Sequence, residues 1–309
     1  MIKALKRLIH GRRHLEQDAD GAEALAQRLE ALGGYRVLRA LNPSAGVETL
    51  RELTPGNRIG VVVDSETTGL DASTDRMVEV AAQRFAFDPG GRVTSIERVR
   101  SWLEDPKRPM PERLSKLTGL SDADLAGKEF DDASIVNILK SADVIIAHNA
   151  AFDRPFFDRR FPELRGSRWG CSLSQLDWLA LGYDGRSLGH LLFQSGHYFD
   201  GHRAANDVCA LTALIARPLP DGRTILSHLL DACATDTFRF EAVGAPFEAK
   251  DLLKQRGYRW DGTGRFWWRE VTATEQAQEL EWLERNVYMG RGGPRTRQIT
   301  ARERFAEAT

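Results

Sequence analysis

Three β-rich runs in close succession constrain this chain more than any other feature. They are "RIGVVVDS" from Arg58, "RMVEVAAQRFAF" from Arg76 and "RVTSIERVRSWL" from Arg92. Only the turn "DPGG" separates the last two, and so short a connection joins antiparallel neighbours. Helical periods follow in "PERLSKLTG" and "DDASIVNILK", and then the short apolar strand "DVIIA" ends at His148 and Asn149. Four more segments, "AFDRPFFDRRF", "CSLSQLDWLALG", "SLGHLLFQSG" and "RAANDVCALTALIA", read as helices. Strands first, then helices around a further strand, predict an α/β layer arrangement with a mixed sheet.

The flanks differ in character. Residues 1–56 read as a helical segment, with apolar residues at three- and four-residue intervals in "GAEALAQRLEALGGYRVLRAL" and a connection at "NPSAGVETLRELTPGN". Its first stretch, "MIKALKRLIHGRRH", is basic and amphipathic but has no secretory apolar region or cleavage site, so it is read as a solvated helix with no targeting role. "RPLPDGRT", residues 217–224, is a linker. The central domain is therefore 57–217, and 218–309 forms a small α+β module with an Arg-rich tail. In that module helices "ILSHLLDACA" and "PFEAKDLLKQR" accompany strands "FRFEAV", "YRW" and "RFWWREV". Thr272 and Glu275 offer a capping box to a last helix. The tail from Gly290, rich in Gly and Arg, is expected to be at best partly ordered.

Composition excludes little. With 43 basic and 44 acidic residues the net charge is -1, so no global field demands a polyanionic partner. Cys171, Cys209 and Cys233 are scattered and form no CxxC pair, which argues against a zinc site and fits a reducing, cytoplasmic setting. No apolar run approaches the roughly 18 residues of a membrane span.

The first β run ends on two acids, Asp64 and Glu66. Side chains alternate along a strand, so these carboxylates project from the same face. Like charges so placed either share a proton or hold a cation between them. A single Asp-x-Glu also suits an ordinary strand end, so the reading depends on further ligands. "HNAAFD" supplies Asp153, which alone would pass for a helix cap. "GHRAAND" supplies His202 and Asp207. Five residues apart, they would lie about 140° apart on one helix, so a shared site requires His202 on the loop that Gly201 permits.

Together, "DSETTGL", "HNAAFD" and "HRAAND" resemble the three blocks of the DEDDh, or DnaQ-like, 3′-to-5′ exonucleases. "LTGLSDADLAG" is similar to a fourth stretch of that family, and the resemblance covers about residues 58–216. Ser65, where the family more often has Thr, is a small departure. The resemblance implies an RNase H-like fold with a five-stranded mixed sheet flanked by helices. It implies two Mg²⁺ or Mn²⁺ ions held by Asp64, Glu66, Asp153 and Asp207, with His202 as the general base. Thr67 and Leu70 would lie near the terminal nucleotide, Leu70 against its base, and His148, Asn149 and Phe152 would line the same end of the site.

The expected activity is removal of nucleoside 5′-monophosphates from DNA 3′ ends, in proofreading or repair. The alternatives are an RNA-trimming exoribonuclease and a non-catalytic nucleic-acid-binding or scaffold protein. In the C-terminal module Lys250, Lys254, Arg256, Arg259, Arg265 and Arg269 interleave with Tyr258, Trp260, Trp267 and Trp268. That composition suits a single-strand surface or a module that docks a polymerase or repair partner, and some of the aromatics must form its core.

Overall fold

The computed structural model describes residues 21–42 and 54–306. The basic N-terminal stretch and most of the expected connection lie outside those residues. Helix α1 (21–31) ends at the Gly33-Gly34 break. The two-residue strand β1 (Arg39–Ala40) then pairs in parallel with β8 (His197–Tyr198).

The main sheet is built on β2 (Arg58–Thr67), which pairs antiparallel with β3 (Met77–Phe87) and parallel with β6 (Val144–Ala147); β6 in turn pairs parallel with β7 (Trp169–Cys171). Burial on both faces explains the near-continuous apolar runs. Val61 and Val63 enter one core with Ile145, Ala147 and Phe157, whereas Val62 enters the opposite core with Ile146, Val208 and Leu211. The sheet has six strands where five were expected. The third β run divides into β4 (Val93–Ile96) and β5 (Arg100–Leu103), both on the outer edge of β3. Phe85 faces Ile96 and Ala82 faces Arg100, so one extra residue bulges out between the two segments.

Helices α2 (Glu112–Thr118), α3 (Asp122–Leu125) and α4 (Asp132–Lys140) precede β6. α5 (Ala150–Arg160) follows it, and α6 (Leu188–Gln194) and α7 (Ala204–Ile215) come after β7. "CSLSQLDWLALG" is a series of turns, not the expected helix. Gln175 accepts the Cys171 N–H at 2.8 Å and Trp178 donates to the Ser172 carbonyl at 2.8 Å, so side chains take the bonds a helix would have needed.

α8 (Ile225–Ala234), expected in the C-terminal module, buries Ile225, Leu226, Leu229 and Cys233 in the core of the main sheet. The module proper is an antiparallel sheet, ordered β10 (Arg259–Asp261), β11 (Phe266–Thr272), β9 (Thr237–Ala242) and β12 (Arg295–Ile299). α9 (Lys250–Gln255) and α10 (Gln276–Leu283) cover one face through Phe240, Leu253, Val271 and Leu283. Glu275 accepts both the N–H and the hydroxyl of Thr272, so only half of the expected capping box forms.

The tail is ordered where disorder was expected. After β12 it crosses to the main domain, where the Trp169 N–H donates to the Ala301 carbonyl at 3.2 Å. The guanidinium of Arg154, 1% exposed, donates to the Arg302 and Arg304 carbonyls at 2.6 Å each and pairs with Asp158 at 3.0 Å. Arg304 then reaches the Thr235 carbonyl at 2.7 Å. The arginine side chains that made the tail look disordered are what fasten it.

Candidate active site

The strand that ends on two acids places them as its alternation requires. Asp64 and Glu66 continue the face of Val62, toward α7. Asp207 sits in the first turn of α7, and carboxylate oxygens of Asp64, Glu66 and Asp207 all lie within 4.8 Å of one another. His202 is on the loop with φ +65°, as the spacing predicted, and is exposed. The Arg203 N–H donates to Asp207 at 3.2 Å, which folds that loop over the carboxylate.

Asp153 reaches the site from α5, on the other face of the sheet. It is 2% exposed, and Ser65, whose side chain points to that face, donates to it at 2.8 Å. The small departure from the family pattern is thus a direct partner of a predicted ligand. Asp153 lies outside the 4.8 Å cluster, yet its charge acts on Asp64.

Electrostatics set this group apart. Burial first, and then the charges of Asp153, Asp207 and Glu66, push the Asp64 carboxyl well above the usual range. Burial, Asp207 and Glu79 push Glu66 up to about 8. Burial raises Asp153 to about 7, against the lowering effect of Ser65. Asp207 is also raised, chiefly by burial. Among the described residues no basic side chain forms an ion pair with any of the four. Hard oxygen donors, crowded and without an ion-paired base among the described residues, fit a divalent cation.

The nucleotide-end residues divide. Leu70, 86% exposed, lines one cleft with Asn149, Phe152 and Pro155. Asn149 begins α5 in the left-handed region (φ 96°). Thr67 is buried and its hydroxyl donates to the Gly69 carbonyl at 2.5 Å. At Gly69 a Cβ would come within 2.3 Å of the Asp75 carboxylate, so the Thr-Thr-Gly turn requires glycine there. His148 turns to Ser172, with Nδ1 2.8 Å from the hydroxyl, and burial pulls its pKa down to about 4.

Glu79 escaped sequence reasoning. It faces Glu66 across the β2–β3 pair and is 1% exposed. It accepts from Ser101 at 2.9 Å, from Arg203 Nε at 3.1 Å and from the Ala204 N–H at 3.3 Å. A lone Glu inside the apolar run "MVEVAA" was the available signal.

The RNase_T exonuclease family model matches residues 61–215, half of the chain, and the chain belongs to that family of exonucleases. Within it, the motif blocks are those of the DnaQ-like 3′-to-5′ exonucleases. The PolC-type DNA polymerase III of Bacillus subtilis is 32% identical over 110 residues, covering 34% of this chain and 7% of that protein. Its Thermotoga maritima counterpart is 29% identical over 130 residues, covering 41% and 9%. The chain thus matches less than a tenth of the length of these relatives.

Among solved structures, Exonuclease X in complex with 5′ overhanging duplex DNA covers 54% of this chain and 99% of its own, at 19% identity and a TM-score of 0.37. Escherichia coli Exonuclease I with a dA16 oligonucleotide covers 80% and 64%, at 16% identity and a TM-score of 0.46. Both scores are low, and the assignment rests on the family model. No helix among the described residues is long and apolar enough to cross a membrane.

Proposed function

We propose that this exonuclease shortens DNA from the 3′ end, releasing nucleoside 5′-monophosphates, with Asp64, Glu66, Asp153 and Asp207 as ligands for two Mg²⁺ or Mn²⁺ ions. The observation that carries this reading is the carboxylate cluster of Asp64, Glu66 and Asp207, raised in pKa and with no ion-paired base among the described residues. Bound divalent ions would supply charge stabilisation for the attacking and leaving oxygens of a phosphodiester.

The protein's own residues do the rest. Ser65 orients the Asp153 carboxylate and favours its ionised form against the raising effect of burial. Glu79 anchors Arg203 and the first turn of α7, and so sets the loop that presents His202. An imidazole can serve as a general base, and from this exposed loop His202 takes the proton of the attacking water. Leu70, Asn149 and Phe152 line the cleft that receives the terminal nucleotide. DNA as substrate is supported by the polymerase relatives, and a proofreading or repair role follows from the same likeness.

The test is digestion of 5′-labelled single-stranded DNA and RNA of one sequence in Mg²⁺, Mn²⁺ or EDTA, with wild type and His202→Ala. A ladder that shortens from the 3′ end, needs the cation, is slowed at least about 100-fold in the variant and runs faster on DNA is the expected result. A faster RNA ladder would replace DNA by RNA in this reading. Absence of any ladder would contradict it and favour a binding protein.

A further inference from the structure

The C-terminal module sorts its basic and aromatic residues into three groups. Arg256 and Arg269 both bind the buried Glu279 carboxylate, at 3.0 and 2.9 Å, and Tyr258 donates its hydroxyl to the same group. On the sheet face away from α9 and α10, Arg239 and Arg259 stack on Trp268, while Glu241 and Asp261 pair with Arg239 and Glu241 also pairs with Arg295. These cations already have partners.

The third group has aromatic partners only. Lys250 and Lys254, one turn apart on α9, are without an ion-paired carboxylate among the described residues. The Lys250 ammonium lies 4.6 Å from the Phe247 ring centre and the Lys254 ammonium 5.8 Å from that of Trp267. Trp260 continues the line, its ring centre 5.4 Å from that of Trp267. Phe247 is 76% and Trp260 52% exposed. Glu248 and Asp251, adjacent in sequence, are exposed but pair with neither lysine.

We propose that Phe247, Lys250, Lys254, Trp267 and Trp260 form a binding stripe for a single strand of nucleic acid, separate from the carboxylate site. The exposed rings of Phe247 and Trp260 stack on unpaired bases whatever their identity, half-buried Trp267 backs Trp260, and ammonium groups without a paired carboxylate meet the phosphates. The two lysines, four residues apart, sit about 6 Å apart along the helix axis. A duplex hides its base faces, and an acidic peptide would meet the lysines but leave Phe247 and Trp260 without flat partners. The proposal rests on the catalytic reading only in taking nucleic acid as the ligand; it adds a second contact that holds the strand while its end is in the site.

The experiment is fluorescence anisotropy of a 5′-fluorescein thymidine oligonucleotide of about 20 nucleotides with the full chain in EDTA, where binding proceeds without hydrolysis. Lys250→Ala with Lys254→Ala, and Trp260→Ala separately, are compared with wild type, with thermal melting to verify folding. The double variant is expected to bind at least 10-fold more weakly and to lower the slope of log K against log salt by about 1.4, the share of two phosphate contacts on a single strand. Trp260→Ala is expected to weaken binding at least fivefold. Unchanged affinity and salt slope in the double variant would overturn the proposal, as would no binding by wild type or binding of an acidic peptide in its place. An Asp64→Ala variant that retains full hydrolysis would sink the catalytic reading and leave this binding result standing.

Discussion

Two carboxylate sites in this chain, one fully buried and one half-buried, stand in opposite conditions. Glu279, 1% exposed in the C-terminal module, has two guanidinium groups and a phenol hydroxyl around it, and every partner belongs to the same module. Asp64, Glu66 and Asp207 crowd within 4.8 Å with no ion-paired base among the described residues, and their pKa values rise. An acid that the fold itself neutralises leaves no uncompensated charge, and removing it would strand its basic partners. Acids left uncompensated cost stability unless a counter-charge arrives from outside, and hard carboxylate oxygens suit a divalent cation.

The contrast predicts opposite responses to mutation. Asp64→Asn should lower exonuclease activity by at least about 10³-fold, and in EDTA should raise stability by about 1 kcal/mol because it removes a charge from a crowded set. Kinetics and thermal melting on the same sample decide it; a destabilised variant would break the contrast. Glu279→Ala should do the reverse. It should destabilise the protein by about 3 kcal/mol, since two partly buried arginines lose their counter-charge, while hydrolysis of a trinucleotide stays within about threefold of wild type. Urea denaturation gives the first number and initial rates the second.

Arg154 sharpens the comparison because it is a buried cation spent on structure beside a predicted ligand. Arg154→Ala should cost about 2 kcal/mol by denaturation, and Arg154→Lys should not restore it, because a single ammonium cannot reach both tail carbonyls and Asp158. The smallest effect is in pH. Glu66 and Asp153 are raised from 4.5 to about 8 and from 3.8 to about 7. Between the unfolded and folded values the native state binds more protons, so their contribution is present at acid pH and fades as pH rises through about 7 to 8. In EDTA the melting temperature should fall from pH 5 to pH 8, and saturating Mn²⁺ should reduce that fall. An identical slope with and without cation would contradict it.

The site was more legible in the sequence than its supports. Strand alternation placed Asp64 and Glu66 together, and the spacing of His202 and Asp207 required the loop that the backbone adopts at φ +65°. Ser65 and Glu79 were invisible as partners because their roles depend on contacts across 88 and 124 residues of chain, to Asp153 and Arg203. The antiparallel pairing across "DPGG" was legible from that turn, but the bulge that splits the sheet's edge into β4 and β5 leaves no mark in "RVTSIERVRSWL". "CSLSQLDWLALG" failed as a helix because Gln175 and Trp178 satisfy backbone groups locally. The tail is better ordered than its composition implied because that composition counts arginines without knowing that Arg302 and Arg304 have the Gly166 and Thr235 carbonyls waiting, or that Arg154 of α5 receives the tail's own carbonyls.

Cation uptake is the most direct test of the account. Mn²⁺ is titrated calorimetrically into wild type and Asp64→Asn at pH 7, in two buffers of different ionisation enthalpy so that released protons are counted. The account predicts binding to wild type with release of about one proton, because ions displace the protons that the raised carboxylates hold, and binding weakened at least about 10-fold in the variant. Wild type that takes up no Mn²⁺, or binds it equally well without Asp64, would contradict it.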